Sequence, residues 1–119
     1  MGLELLAISL GLSTFEAQLT QRNVVIHCDN TGAESAIRRG TAISCDHARL
    51  VHTQWTHAAE LGASLWIERV GTHDNIADLP SRNEFRVLEQ AGATYVCPVL
   101  RDQYWEQSTW DILQQRWRM

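Results

Sequence analysis

The strongest constraint on this fold is a short β-branched run that passes into a helix start with no loop between. Val24, Val25 and Ile26, followed by His27 and Cys28, read as a buried strand. β-branched side chains crowd a helical turn but pack well on a pleated surface. Asp29, Asn30 and Thr31 then offer side-chain oxygens to the unpaired amides of a first helical turn. That helix is predicted to run to Arg39 and stop at Gly40. A second helix follows, with Ser44 as its predicted cap and Asp46 in the first turn, where the dipole favours it. Leu50, Val51, Trp55, Ala58 and Leu61 keep helical spacing until Gly62. The run 64–70 reads as a second strand, Leu65 and Ile67 alternating with Trp66 and Glu68. Strand, two helices and strand give an α/β class: a short parallel sheet flanked by helices, joined by the default right-handed crossover.

The flanking segments are also patterned. Leu5, Ile8, Leu12, Phe15 and Leu19 recur at steps of three and four, one apolar stripe of a first helix. At about 100° per residue, Glu4 falls at the margin of that stripe, beside the core. After the second strand, 71–75 is a polar loop, and a turn of helix over 76–79 is expected to end at Pro80. Ser81 and Glu84 match a capping box ahead of Phe85, Val87 and Leu88, with Gly92 closing that helix. The run 93–97 is predicted to be a short strand, and a last helix is predicted from Ser108 or Thr109 to Arg118. Trp55 and Trp66 are assigned to the core.

Composition narrows the class. With 119 residues, 45% hydrophobic and 20% charged, the chain suits one folded domain with a core. A net charge of -4 excludes a wholly basic nucleic-acid coat, though not a local basic patch. All ten cationic residues are arginine, the side chain suited to bidentate phosphate contacts. Cys28, Cys45 and Cys97 form no disulfide framework, so an intracellular protein, cytoplasmic or nuclear, is expected. No apolar run nears the roughly 20 residues of a membrane span. The apolar run 3–12 lacks a basic leader and contains Glu4, so it does not read as a signal sequence.

Three carboxylates occupy informative positions. Asp29 lies at the C-terminal end of a strand, the edge where parallel α/β sheets bind ligands. Asp78 follows the second strand through a polar loop and can approach that edge, and Glu4 lies one turn into the first helix. Carboxylates with no basic neighbour suit a hard divalent cation, Mg²⁺ or Mn²⁺. Spacing alone also fits plain capping for Asp29 and Asp78 and a solvated helix end for Glu4. Cys45, His47, His52 and His57 lie on one predicted helix, with His27 and Cys28 on a strand, and zinc takes such ligands, but steps of five do not place the three histidines on one helix face.

The run Val24-Val25-Ile26-His27-Cys28-Asp29-Asn30 resembles the strand that bears the central aspartate of ribonuclease H domains. Asn75-Ile76-Ala77-Asp78-Leu79-Pro80-Ser81-Arg82, after the second strand, resembles the N-x-A-D-x-x-S-R segment of that domain in retrotransposon reverse-transcriptase polyproteins. Leu3-Glu4-Leu5-Leu6-Ala7 is similar to the family's glutamate-bearing helix. The resemblance covers roughly residues 3–82. It implies a ribonuclease H-like fold and hydrolysis of RNA in RNA–DNA hybrids. In that family four carboxylates hold two Mg²⁺ ions, one activating water and one stabilising the leaving oxygen. Glu4, Asp29 and Asp78 match three of the four, and His73 matches the mobile histidine of some members.

The family's first aspartate belongs to a three-strand module ahead of the glutamate helix, and only Met1, Gly2 and Leu3 precede Glu4 here. The expectation is therefore an incomplete, N-terminally truncated ribonuclease H-like core over 1–82, with 83–119 a helical tail of unknown role. Its activity would be doubtful. Its open sheet edge would recruit a second copy, forming a homodimer, or a partner chain. Alternatively, 93–97 covers that edge within one chain. The alternative function is a catalytically inactive remnant acting as a protein-interaction or self-association module. Asn30, Arg38, Arg39, Asn75 and Arg82 are the expected nucleic-acid contacts, with Arg38 and Arg39 equally suited to complementing a helix dipole.

Overall fold

The computed structural model describes residues 2–105. The helix expected from Ser108 or Thr109 to Arg118 lies outside the described residues. Helices α1 (Gly2–Thr14) and α2 (Glu16–Leu19) lead into strand β1 (Asn23–Cys28). Then come α3 (Thr31–Arg39), α4 (Cys45–Leu61) and strand β2 (Ser64–Arg69). A 3-10 turn at Thr72–Asp74, short helices α5 (Asp78–Ser81) and α6 (Arg86–Gln90), and a 3-10 turn at Asp102–Tyr104 complete the path.

The strand–helix–helix–strand reading holds. β1 and β2 pair in parallel from Asn23 opposite Ser64 to Cys28 opposite Arg69. Asn30 is the residue that caps α3, its Oδ1 accepting from the Ala33 amide at 2.9 Å. Gly40 and Gly62 end α3 and α4 at φ 73° and 66°, in the left-handed region that glycine enters without a Cβ clash. The following amides, Thr41 and Ala63, reach back to the Ala36 and Ala58 carbonyls at 3.1 and 2.9 Å.

The core forms where α1, α3 and α4 meet one face of the sheet. Leu5, Ala33, Ala36, Ile37 and Val51 close on Cys28 and Ile67, with Ile8, Ile26, Ala42 and Leu50 around them. The other sheet face carries no helix among the described residues, which departs from the expected buried strand. Val25 is 52% exposed and stands opposite Trp66, 60% exposed. Among the described residues the helices pack on the Ile26–Ile67 side, so Trp66, 60% exposed, stands outside the core they form.

Four boundaries also depart from expectation. The first helix breaks at Phe15 instead of carrying its stripe to Leu19 as one element. Pro80 sits inside α5, whose first turn tolerates a residue without an N–H. The Ser81–Glu84 capping box does not form: α6 starts after Phe85, with no side-chain cap. The run 93–97 is not a strand.

The largest surprise is polar. Ser9, Ser13, Thr53, Gln54 and His57 are all buried. Gln54 Nε2 donates to the Leu5 carbonyl at 2.7 Å and to Ser9 Oγ at 2.9 Å. One turn along, His57 Nε2 meets Glu16 Oε1 at 2.7 Å and His57 Nδ1 meets the Tyr104 hydroxyl at 2.7 Å. An ionised carboxylate only accepts, so Nε2 carries the proton toward Glu16. Burial raises the Tyr104 phenol above its ordinary range. The segment 99–104 is thereby strapped across α1 and α4. Val99 N donates to Thr14 Oγ1 at 3.0 Å, Arg101 N to Ser13 Oγ at 3.2 Å, and Arg101 Nη1 pairs with Glu16 at 3.1 Å.

Two outcomes follow for stability. Gln54→Ala removes two buried hydrogen bonds, leaving the Leu5 carbonyl and the Ser9 hydroxyl only each other across the turn, and should cost about 2 kcal/mol in urea unfolding. Thr56→Ala, on the exposed side of α4, should stay within about 0.5 kcal/mol; equal losses would contradict the seam. Burial also lowers His52 below its ordinary 6.5. The unfolded chain then binds more protons than the folded one across the window between the two values. Stability should fall as pH drops through 6.5, and His52→Gln should flatten that slope in pH-dependent unfolding.

Candidate functional site

A groove of about 510 Å³ runs between α1 and the outer edge of β1. Its floor is apolar, with Ile8, Phe15 and Val25 among the lining residues, and Glu4, Asp29 and Asn75 also line it. Asp29 stands there because β1 ends at Cys28 and α3 begins only at Thr31. Glu4 stands there because its neighbour Leu5 is buried and has its carbonyl held by Gln54, which fixes how α1 is turned. The Glu4 carboxyl is held below the usual carboxylate range, its own backbone amide among the donors to it, against a smaller opposing effect of burial.

Asn75 closes the loop after β2. Its Oδ1 accepts from the Ala77 amide at 3.1 Å and its carbonyl from the Asp78 amide at 3.0 Å. Asp78 thus opens α5 beside the groove without lining it, and its carboxylate pairs with Arg82 one turn on. His73, in the 3-10 turn, is exposed and does not line the groove either. The structure therefore brings Glu4, Asp29 and Asn75 onto one surface and turns Asp78 toward its own arginine.

The carboxylates are the hard oxygen donors that Mg²⁺ or Mn²⁺ takes. Their grouping does not match that chemistry: among the described residues no three His, Cys, Asp or Glu side chains gather as a metal site. As arranged, these residues do not fit a two-ion cage. The same observation leaves no zinc cluster around Cys45, His47 and His52, and His57 is occupied by Glu16 and Tyr104.

The expected phosphate contacts divide. Arg38 turns back onto the sheet, Nη2 donating to the Ile67 carbonyl at 3.0 Å and pairing with Glu34 at 3.2 Å. It helps wall a smaller slot of about 210 Å³ with Trp55 and Trp66 at the far side of β2. Trp55 is tied down there, its Nε1 donating to the Ile37 carbonyl at 3.0 Å. Arg39 is exposed, Arg82 is half-engaged by Asp78, and Asn30 spends its Oδ1 on capping. The Glu16–His57–Tyr104 chain escaped sequence reasoning because its members lie on three separate segments with no local pattern.

Comparison of the chain with family models, with curated proteins and with solved structures gives no match.

The two neighbouring arginines should separate in a stability assay. Arg38→Ala removes the bond to Ile67 and should lose about 1 kcal/mol in denaturant unfolding. Arg39→Ala should change stability by less than about 0.5 kcal/mol. An identical response from both would show that Arg38 holds nothing.

Proposed function

We propose that this chain is a ribonuclease H-like domain of retroelement origin that engages RNA–DNA hybrid at the C-terminal edge of its parallel strands and hydrolyses the RNA. The observation that carries the reading is the meeting of Glu4, Asp29 and Asn75 on one groove at that edge. These three come from three segments distant in sequence, each of which resembles the matching segment of that family. In parallel α/β sheets ligands gather at this edge.

The chain's own groups have separable roles in this reading. Glu4 and Asp29 supply negative charge at the groove, and Asn75 fixes the loop that presents Asp78. Arg39 and Arg82 lie outside the core and would meet phosphates, which positions a duplex without reading its sequence. With net charge -4, affinity should be modest and weaken steeply with salt. In the family, Mg²⁺ or Mn²⁺ held by the carboxylates supplies the activated water. The described carboxylates do not assemble that cage, so further ligands must come from outside them. The outer edge of β1 pairs with no strand among the described residues. A second copy or a partner chain adding a strand there would complete the sheet.

A second reading is favoured by the pairing of Asp78 with Arg82. A carboxylate neutralised by its own helix suits an inactive remnant kept as an interaction or self-association module.

One assay separates them. The chain is incubated with end-labelled RNA–DNA hybrid and Mg²⁺ or Mn²⁺, beside Asp29→Asn. The nuclease reading expects metal-dependent cleavage that drops about tenfold or more in the variant. Equal background in both selects the remnant.

A further inference from the structure

We propose that the segment 93–97 is a strap that closes over the groove as a third strand, pairing antiparallel with the outer edge of β1. The inference rests on the groove and the segment, and not on nuclease activity.

The segment Ala93-Thr94-Tyr95-Val96-Cys97 is rich in strand-forming residues, yet it lies outside any helix or strand. Tyr95 is 87% and Val96 48% exposed, although both side chains favour burial. The outer edge of β1 has no paired strand among the described residues, and the groove next to that edge is floored by apolar side chains. An open edge and an unpaired, uncharged, strand-prone segment in one chain are complementary.

The ends of the segment set its direction. At one end Gly92 turns at φ 82° after α6, with the Ala93 amide bonded to the Leu88 carbonyl. At the other, Val99 is held on Thr14 of α1 by two hydrogen bonds, at 3.0 and 3.3 Å. Thr14 lies between Gly11 and Phe15, both of which line the groove. Arg101 on Ser13 and Glu16, and Tyr104 on His57, secure that anchor. α1 and β1 both span the groove, with Glu4 and Asp29 at one end and Phe15 and Val24 toward the other. With Val99 anchored at Thr14, toward the Val24 end, a segment that leads to that anchor along β1 runs against the direction of β1. Five extended residues cover about 17 Å, close to the length of β1. Pro98, lacking an N–H, marks where pairing stops. Once closed, the strap covers the groove on which Glu4 and Asp29 stand, and it competes with any strand that a second copy would add.

Cross-linking reads this directly. The full chain carrying Cys45→Ser and Val25→Cys keeps Cys97 as its one other exposed thiol among the described residues. A disulfide needs Cα atoms within about 7 Å. Mild oxidation should give a Val25→Cys–Cys97 disulfide within one chain, seen by intact mass and non-reducing electrophoresis. The matching chain with Trp66→Cys, on the far strand, should give at least about tenfold less. Amide exchange supplies a readout without engineered thiols: β1 should exchange at least about tenfold faster when Val96→Pro prevents pairing. Disulfides only between two chains, equal yields in the two variants, or β1 exchange unchanged by Val96→Pro would overturn the strap.

Discussion

Everything at the candidate site depends on how α1 is held against α4. Apolar packing brings two helices together but tolerates small slides and rotations. A buried hydrogen bond does not, because a stranded amide or carbonyl costs far more than a loosened methyl contact. Gln54 donating to the Leu5 carbonyl and to Ser9 sets both the height and the rotation of α1. Glu4 is the residue next to that carbonyl, so its place on the groove is a consequence of the seam. The Glu16–His57–Tyr104 chain repeats the device at the other end and recruits the segment 99–104 as a brace.

The sheet is the counterpart of that rigidity. Two parallel strands with helices on one face leave the Val25–Trp66 face and the outer β1 edge without cover among the described residues. Arg38 donates to the Ile67 carbonyl of β2. Outside β1 no described strand pairs, and the groove is what that opening looks like from the surface. An edge of this kind recruits backbone, from a second copy, from a partner or from the chain's own 93–97. The site and the opening are therefore one feature: the carboxylates at the end of β1 border the place where a further strand would lie.

Much of this was legible in the sequence, for identifiable reasons. β1, α3, α4 and β2 announce themselves because β-branched runs, Asn30 as a cap, and Gly40 and Gly62 as terminators are local signals. Glu4 at the stripe margin and Asp29 at a strand end followed from periodicity, and both now line one groove. What failed depends on distant residues. The stripe through Leu5 and Leu12 does not reveal that Ser9 bonds to α4 and Ser13 to the 99–104 segment, because their partners Gln54 and Arg101 are far along the chain. Trp66 looked like core because size and apolarity say nothing of which sheet face has a helix over it. Asp78 reads as a candidate ligand from its place after β2, and the sequence alone does not show that its carboxylate pairs with Arg82 one turn on.

The most direct test of the account is to ask where an RNA–DNA hybrid touches the protein. A backbone amide NMR map is recorded while a short hybrid is titrated in Ca²⁺, which avoids turnover. The account predicts that shifts gather on Glu4, Asp29, Asn75, Ala77 and the amides bordering them, and fade as salt rises. Shifts centred on the Val25–Trp66 face, or none at low salt, would contradict it.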